Sequence, residues 1–104
     1  MDYENFVAFR LTQLRLQAGL SARDLSLSIG QSPGYINKIE SRQNLPSLPG
    51  LFAICEYFQI SPAEFFDQNN SSPQKIAELT DELKGLSEKQ LKALSQLVDS
   101  IKKP

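Results

Sequence analysis

Histidine and tryptophan are absent from this 104-residue chain, and cysteine and methionine occur once each. Without histidine the commonest general base and the commonest metal ligand are both missing. Cys55 has no second cysteine to pair with inside the chain, and a lone thiol builds no cysteine-rich metal cluster. Neighbouring acids such as Asp81 and Glu82 point apart on a helix and suit solvation better than acid–base work. No catalytic residue, cofactor or metal site is therefore expected. No apolar run approaches the roughly 18 residues that cross a bilayer. The opening MDYENFVAFR is acidic and has neither a long apolar segment nor a small-residue cleavage site, so a cytoplasmic protein without a membrane association is expected.

An excess of positive charge is lacking too. Lysine and arginine number 11 against 12 acids, a net charge of −1 with a pI near 5.4. Domains that live on nucleic acid often carry a clear basic surplus, which releases counterions from phosphates. The distribution is more informative than the total: residues 1 to 45 carry +1, residues 46 to 70 carry −3 and residues 71 to 104 carry +1. The first segment is the least unfavourable for a polyanion. What remains is the composition of a globular protein, 40% hydrophobic and 22% charged with a mean hydropathy of −0.31, long enough for one core and an appended element.

Serines recur with proline next or with an acid or glutamine three positions on, the mark of helix N-caps whose oxygen accepts an orphan backbone N–H. Ser21 with Asp24, Ser61 with Glu64 and Ser87 with Gln90 fit a capping box, Ser47 precedes another apolar run, and Pro33, Pro62 and Pro73 follow serines at first helical positions. Apolar residues then step by three and four: Leu11, Leu14 and Ala18; Leu25 and Ile29; Ile36 and Ile39; Leu51, Ile54, Cys55 and Phe58. Helices are predicted near 3–18, 22–29, 33–41, 48–58 and 62–67, and the fold class is all-α. Phe52, Tyr57, Phe58, Phe65 and Phe66 have helical spacing and read as core. The polar run Asp67–Ser72 suits a linker, which puts a domain at 1–70 and a linker with a C-terminal helical extension at 71–104. There Ile76, Leu79, Leu83 and Leu86, then Leu91, Leu94, Leu97, Val98 and Ile101, form stripes too short to bury themselves, so they must pack on the domain or on a second copy.

Ser21 to Glu40 holds a short capped helix, the turn Gly30-Gln31-Ser32-Pro33 and a second short helix, the spacing of a helix-turn-helix. On the outer face of the second helix Gly34, Asn37, Lys38 and Ser41 fall three or four apart. These features suit an ordinary helical hairpin of a small bundle equally well.

Over about residues 6 to 67 the chain resembles the Cro/repressor-type helix-turn-helix family, also called XRE. The resemblance is carried by Arg15, Gly19-Leu20-Ser21, Leu25, Ile29-Gly30, the run from Ser32 through Tyr35-Ile36 to Ile39-Glu40, Pro46-Ser47, and Ile60-Ser61 with Phe65-Phe66. It implies a five-helix domain that binds double-stranded DNA, usually as a homodimer, and a role in transcriptional control. It also implies that Arg15 and Glu40 pair inside the domain and that Ser21 and Ser41 meet phosphates. Ser32, Arg42, Gln43 and Asn44 are candidates for the same backbone contacts. Two departures stand out: Ala22 replaces the glutamine that many members use on phosphate, and the first two base-reading positions are Pro33 and Gly34, whose side chains offer no hydrogen bond to a base edge. Lys38, able to donate to guanine, then leads the reading face, with Tyr35 and Asn37 beside it. The alternative, prompted by the acidic charge, Ala22 and Pro33-Gly34, is a protein-interaction module such as an antitoxin or accessory subunit.

Overall fold

A computed structural model describes residues 2–103, which form seven helices and no strand among the described residues. They are α1 (Tyr3–Gln17), α2 (Ala22–Ser28), α3 (Tyr35–Glu40), α4 (Leu48–Phe58), α5 (Pro62–Phe65), α6 (Pro73–Leu83) and α7 (Glu88–Lys102). The chain divides into two compact units, the first reaching Gln74 and the second starting at Lys75. The all-α class read from the sequence is the class found.

The stripes of the first five helices converge on one core. Val7, Ala8, Leu11 and Leu14 of α1, Leu25 of α2, Ile36 and Ile39 of α3, Leu51, Ile54, Cys55 and Phe58 of α4 and Phe65 of α5 are all buried. Burying one such large side chain contributes about 1.5–3 kcal/mol, so helices as short as α3 and α5 are held by packing and not by propensity. Burial pushes the Cys55 thiol pKa up to about 11, with the negative Glu64 adding in the same direction. Phe52 and Tyr57 depart from the core expectation: they are 50% and 39% exposed. Each sits a step off the 51-54-55-58 stripe, about 100° round the helix, so spacing within a helix alone did not select the buried face. Ala18, at the end of α1, is exposed, and Ile29 is half-buried.

The capping oxygens account for the helix starts. Ser21, Ser47, Ser61 and Ser87 accept from the N–H groups of Asp24, Gly50, Glu64 and Gln90 at 3.0, 3.2, 3.1 and 3.2 Å. Full boxes form at Ser61–Glu64 and Ser87–Gln90, but at Ser21 only the serine half is seen. Aspartate is one methylene shorter than glutamate and does not reach back to the cap N–H. The third helix is shorter than expected. Instead of starting at Pro33 it starts at Tyr35, whose N–H donates to Ser32 O at 3.1 Å and closes Ser32-Pro33-Gly34 into a turn; Gly34, at the N-cap, has no side chain to supply a cap.

The polar run after α5 is tied down. Arg10, only 2% exposed, donates to the main-chain oxygens of Asp67 and Asn70 and, at 2.8 Å, to Gln13 Oε1, and lies over the Phe6 ring. Gln17 holds Ser71 O at 2.9 Å, and Pro73 is buried. In the second unit Leu79 and Leu83 of α6 and Leu91, Leu94 and Val98 of α7 line an apolar groove of about 360 Å³.

Candidate nucleic-acid interface

The α2–α3 pair is joined by a buried hydroxyl as well as by leucine and isoleucine. Ser26 Oγ donates to Ala22 O at 2.7 Å and accepts the Ile36 N–H at 3.0 Å. The first backbone donors of a helix have no partner within it, so this contact satisfies one of them from the neighbouring helix and fixes where α3 begins. Between the two helices Gly30 has φ +74°, a conformation costly for residues with a Cβ, and Gln31 N–H closes α2 onto Ser26 O at 2.9 Å. Ser26 belongs to none of the cap, turn or apolar patterns in the sequence. Its signal was a small polar residue on the inner stripe beside Leu25.

With Ile36 and Ile39 facing inward, α3 presents Asn37 and Lys38 to solvent, followed by Ser41. Lys38 makes no ion pair among the described residues, so its ammonium is available. Ser21, at the start of α2, is exposed, and its hydroxyl accepts from Asp24 N–H while keeping its own proton to donate. Ser32 and Pro33 are exposed in the turn, and Gly34 is half-buried.

Tyr35 is placed differently from its neighbours. It is half-buried, burial raises its phenol pKa, and its hydroxyl lies against Gly50 in the first turn of α4. It therefore braces α3 against α4 and does not stand in the row with Asn37 and Lys38. A methyl group at Gly50 would collide with the Tyr35 Oη. Gly50→Ala, which in an open helix would stabilise by about 0.5–1 kcal/mol, is expected to destabilise by about 1–2 kcal/mol. Adding Tyr35→Phe should recover most of the loss, because the colliding oxygen is gone and what remains is the tight contact with the capping Ser47 Oγ at 3.3 Å. Urea unfolding of the two single variants and the double variant checks this; equal losses from Gly50→Ala in both backgrounds would exclude the collision.

Glu40 at the end of α3 is held by Arg15 of α1 through two parallel bonds, Nε to Oε2 at 2.7 Å and Nη2 to Oε1 at 2.8 Å, and Arg15 also donates to Leu20 O at 2.9 Å. The bond to Glu40 raises the Arg15 pKa against the opposing effect of burial. Turned inward, this carboxylate is neutralised and leaves the outer row without an acid. Beyond it, Arg42 adopts the left-handed region (φ +65°) and closes the helix, with Gln43 and Asn44 N–H groups both donating to Lys38 O at 2.9 and 3.2 Å. Those two N–H groups are thus spent, and a phosphate contact at Gln43 or Asn44 falls to the side-chain amides. The Arg42 guanidinium is engaged by Asn5 Oδ1 and Glu40 O on two of its three nitrogens.

Two short helices locked through Gly30 and Ser26, set in a five-helix core with a polar outer row, define a helix-turn-helix protein. The chain belongs to the helix-turn-helix family, whose model matches residues 11–65, from within α1 to the end of α5. The HTH-type transcriptional regulator PrpR of Mycobacterium tuberculosis is 32% identical over 76 residues, which are 73% of this chain and 15% of that protein. The chain thus spans 15% of the length of that relative. No solved structure gives a significant match. No helix among the described residues is long and apolar enough to cross a membrane.

Proposed function

We propose that the protein is a cytoplasmic, repressor-like transcriptional regulator that binds operator DNA as a homodimer, with the outer row of α3 in the major groove. The observation that carries this reading is the locked α2–α3 pair with Asn37 and Lys38 free on one side and the only nearby carboxylate of α3, Glu40, tied to Arg15. Lys38 donates to guanine O6 or N7, and Asn37 serves a neighbouring base. Ser21, Ser32, Ser41, Arg42, Gln43 and Asn44 meet the flanking phosphates and set the register. Pro33 and Gly34 add no base-edge hydrogen bond; they let the turn approach the groove closely, so part of the specificity is read as DNA shape.

Dimerisation is assigned to the second unit. Leu97 and Ile101 are 55% and 72% exposed beside the apolar groove, and α6 carries three acids against Lys75 while α7 carries three lysines against Glu88 and Asp99. A two-fold axis lays α6 of one copy along α7 of the other, apolar on apolar and acid on base, and pairs half-sites about 34 Å apart or a multiple of that.

Selection from a randomised duplex pool, followed by fluorescence anisotropy at low and near-physiological salt, tests the reading. A near-palindromic site bound by two chains is expected, with Lys38→Ala weakening it by about 1 kcal/mol or more, roughly fivefold. No enriched sequence and no change in Lys38→Ala would remove the assignment of α3 as a reading helix. A second reading, a docking module for another protein, is favoured by an apolar groove of about 300 Å³ lined by Tyr3, Val7, Leu45, Pro46, Leu51 and Phe66. Binding of that kind persists at salt concentrations that screen phosphate contacts.

A further inference from the structure

We infer that Asn5, in the first turn of α1, is a positioning residue that aims the Arg42 guanidinium at a DNA phosphate; this rests on the phosphate contact assigned to Arg42 above. Arg42 stands at a position where its left-handed backbone costs about 1–2 kcal/mol relative to glycine, the residue that most often closes a helix in this way. The side chain kept there is held by two bonds, Nε to Asn5 Oδ1 at 2.6 Å and Nη1 to Glu40 O at 2.8 Å. Its third nitrogen, Nη2, has no partner among the described residues, and the residue is exposed.

Asn5 is itself fixed. Its Nδ2 donates to Asp2 Oδ2 at 2.6 Å and its backbone N–H to Asp2 Oδ1 at 3.1 Å. The amide accepts from a cation at one end and donates to a carboxylate at the other, which neither aspartate nor leucine can do. Asp2, the cap of α1, thereby orients Asn5, and Asn5 sets the direction of Arg42 without a carboxylate touching the guanidinium. A charge held in place loses less side-chain freedom on meeting a phosphate than one that swings freely.

The test uses the full chain and a 30-base-pair duplex of mixed sequence, with affinity read by anisotropy across a salt series. Arg42→Ala is expected to flatten the slope of log affinity against log salt by about 0.9, one phosphate's worth. Asn5→Ala, which keeps the backbone cap, should weaken binding and flatten the slope by a smaller amount, with an unchanged melting temperature. Added to Arg42→Ala it should do nothing further. Unchanged binding in Asn5→Ala beside a loss in Arg42→Ala overturns the positioning role and leaves the phosphate contact standing. An equal loss from Asn5→Ala when Arg42 is already gone overturns it as well, since Asn5 would then act elsewhere. No effect of Arg42→Ala removes the phosphate contact and the inference together.

Discussion

Arg10→Ala is expected to cost about 3 kcal/mol of stability, at the low end of what breaking a buried charged interaction costs, and to lower the melting temperature by more than about 10 °C. Arg10 is 2% exposed and has no carboxylate within ion-pair distance among the described residues; its charge is met by two main-chain oxygens, a glutamine amide and an aromatic face. Burial lowers its pKa, and the negative Asp67 opposes that shift. Alanine leaves the Asn70 oxygen without its donor and the Asp67 oxygen with the Asn70 N–H alone, and empties the space filled by the long stem. Lysine should recover only part of the loss, because one ammonium on a flexible stem cannot reproduce a planar fork. Urea unfolding of the three proteins decides it: a loss under about 1 kcal/mol for alanine, or full recovery by lysine, would show that the fork is dispensable.

Glu40→Ala should cost about 2–3 kcal/mol, the second largest loss. The paired side chains are 16% and 12% exposed, and two parallel charge-assisted bonds of 2.7 and 2.8 Å join α1 to α3 at the edge of the apolar core that both helices share. Removing the carboxylate strands a half-buried guanidinium with one remaining partner, Leu20 O. Arg15→Ala should cost a similar amount, and the double variant clearly less than the sum, since a second deletion removes an interaction already lost. Glu40→Gln keeps an acceptor and should restore about half. Strict additivity in a double-mutant cycle would mean that the two residues act independently. DNA binding should fall with stability in Glu40→Ala, because α3 loses its anchor to α1.

What was legible in the sequence was local. A serine cap, a glycine turn and a step of three or four residues are events within one helical turn, which is why the starts of α2, α4, α5 and α7 fall on Ser21, Ser47, Ser61 and Ser87. Proline after serine suits a first helical position and a tight turn alike, so the sequence pattern puts the start of the second short helix two residues before Tyr35, where it begins. Contacts across the chain were hidden. Nothing near Arg10 announces partners 57 and 60 residues on, and Asn5 reads as an ordinary surface amide until Arg42 comes to lie 37 residues beyond it. Sequence position alone sets Tyr35 beside Asn37 and Lys38, whereas its placement against Gly50 depends on the packing of α3 on α4.

The buried Cys55 bears on how such a protein is controlled. A thiol sealed in the core with a pKa near 11 forms almost no thiolate at neutral pH, so it is a poor target for oxidants and cannot weld two copies together. The homodimer proposed above is then held by reversible contacts alone and obeys mass action. Well below its dissociation constant, a tenfold fall in chain concentration lowers the dimer about a hundredfold. Synthesis and turnover of the chain would by themselves act as a steep dial on how often its operator is occupied.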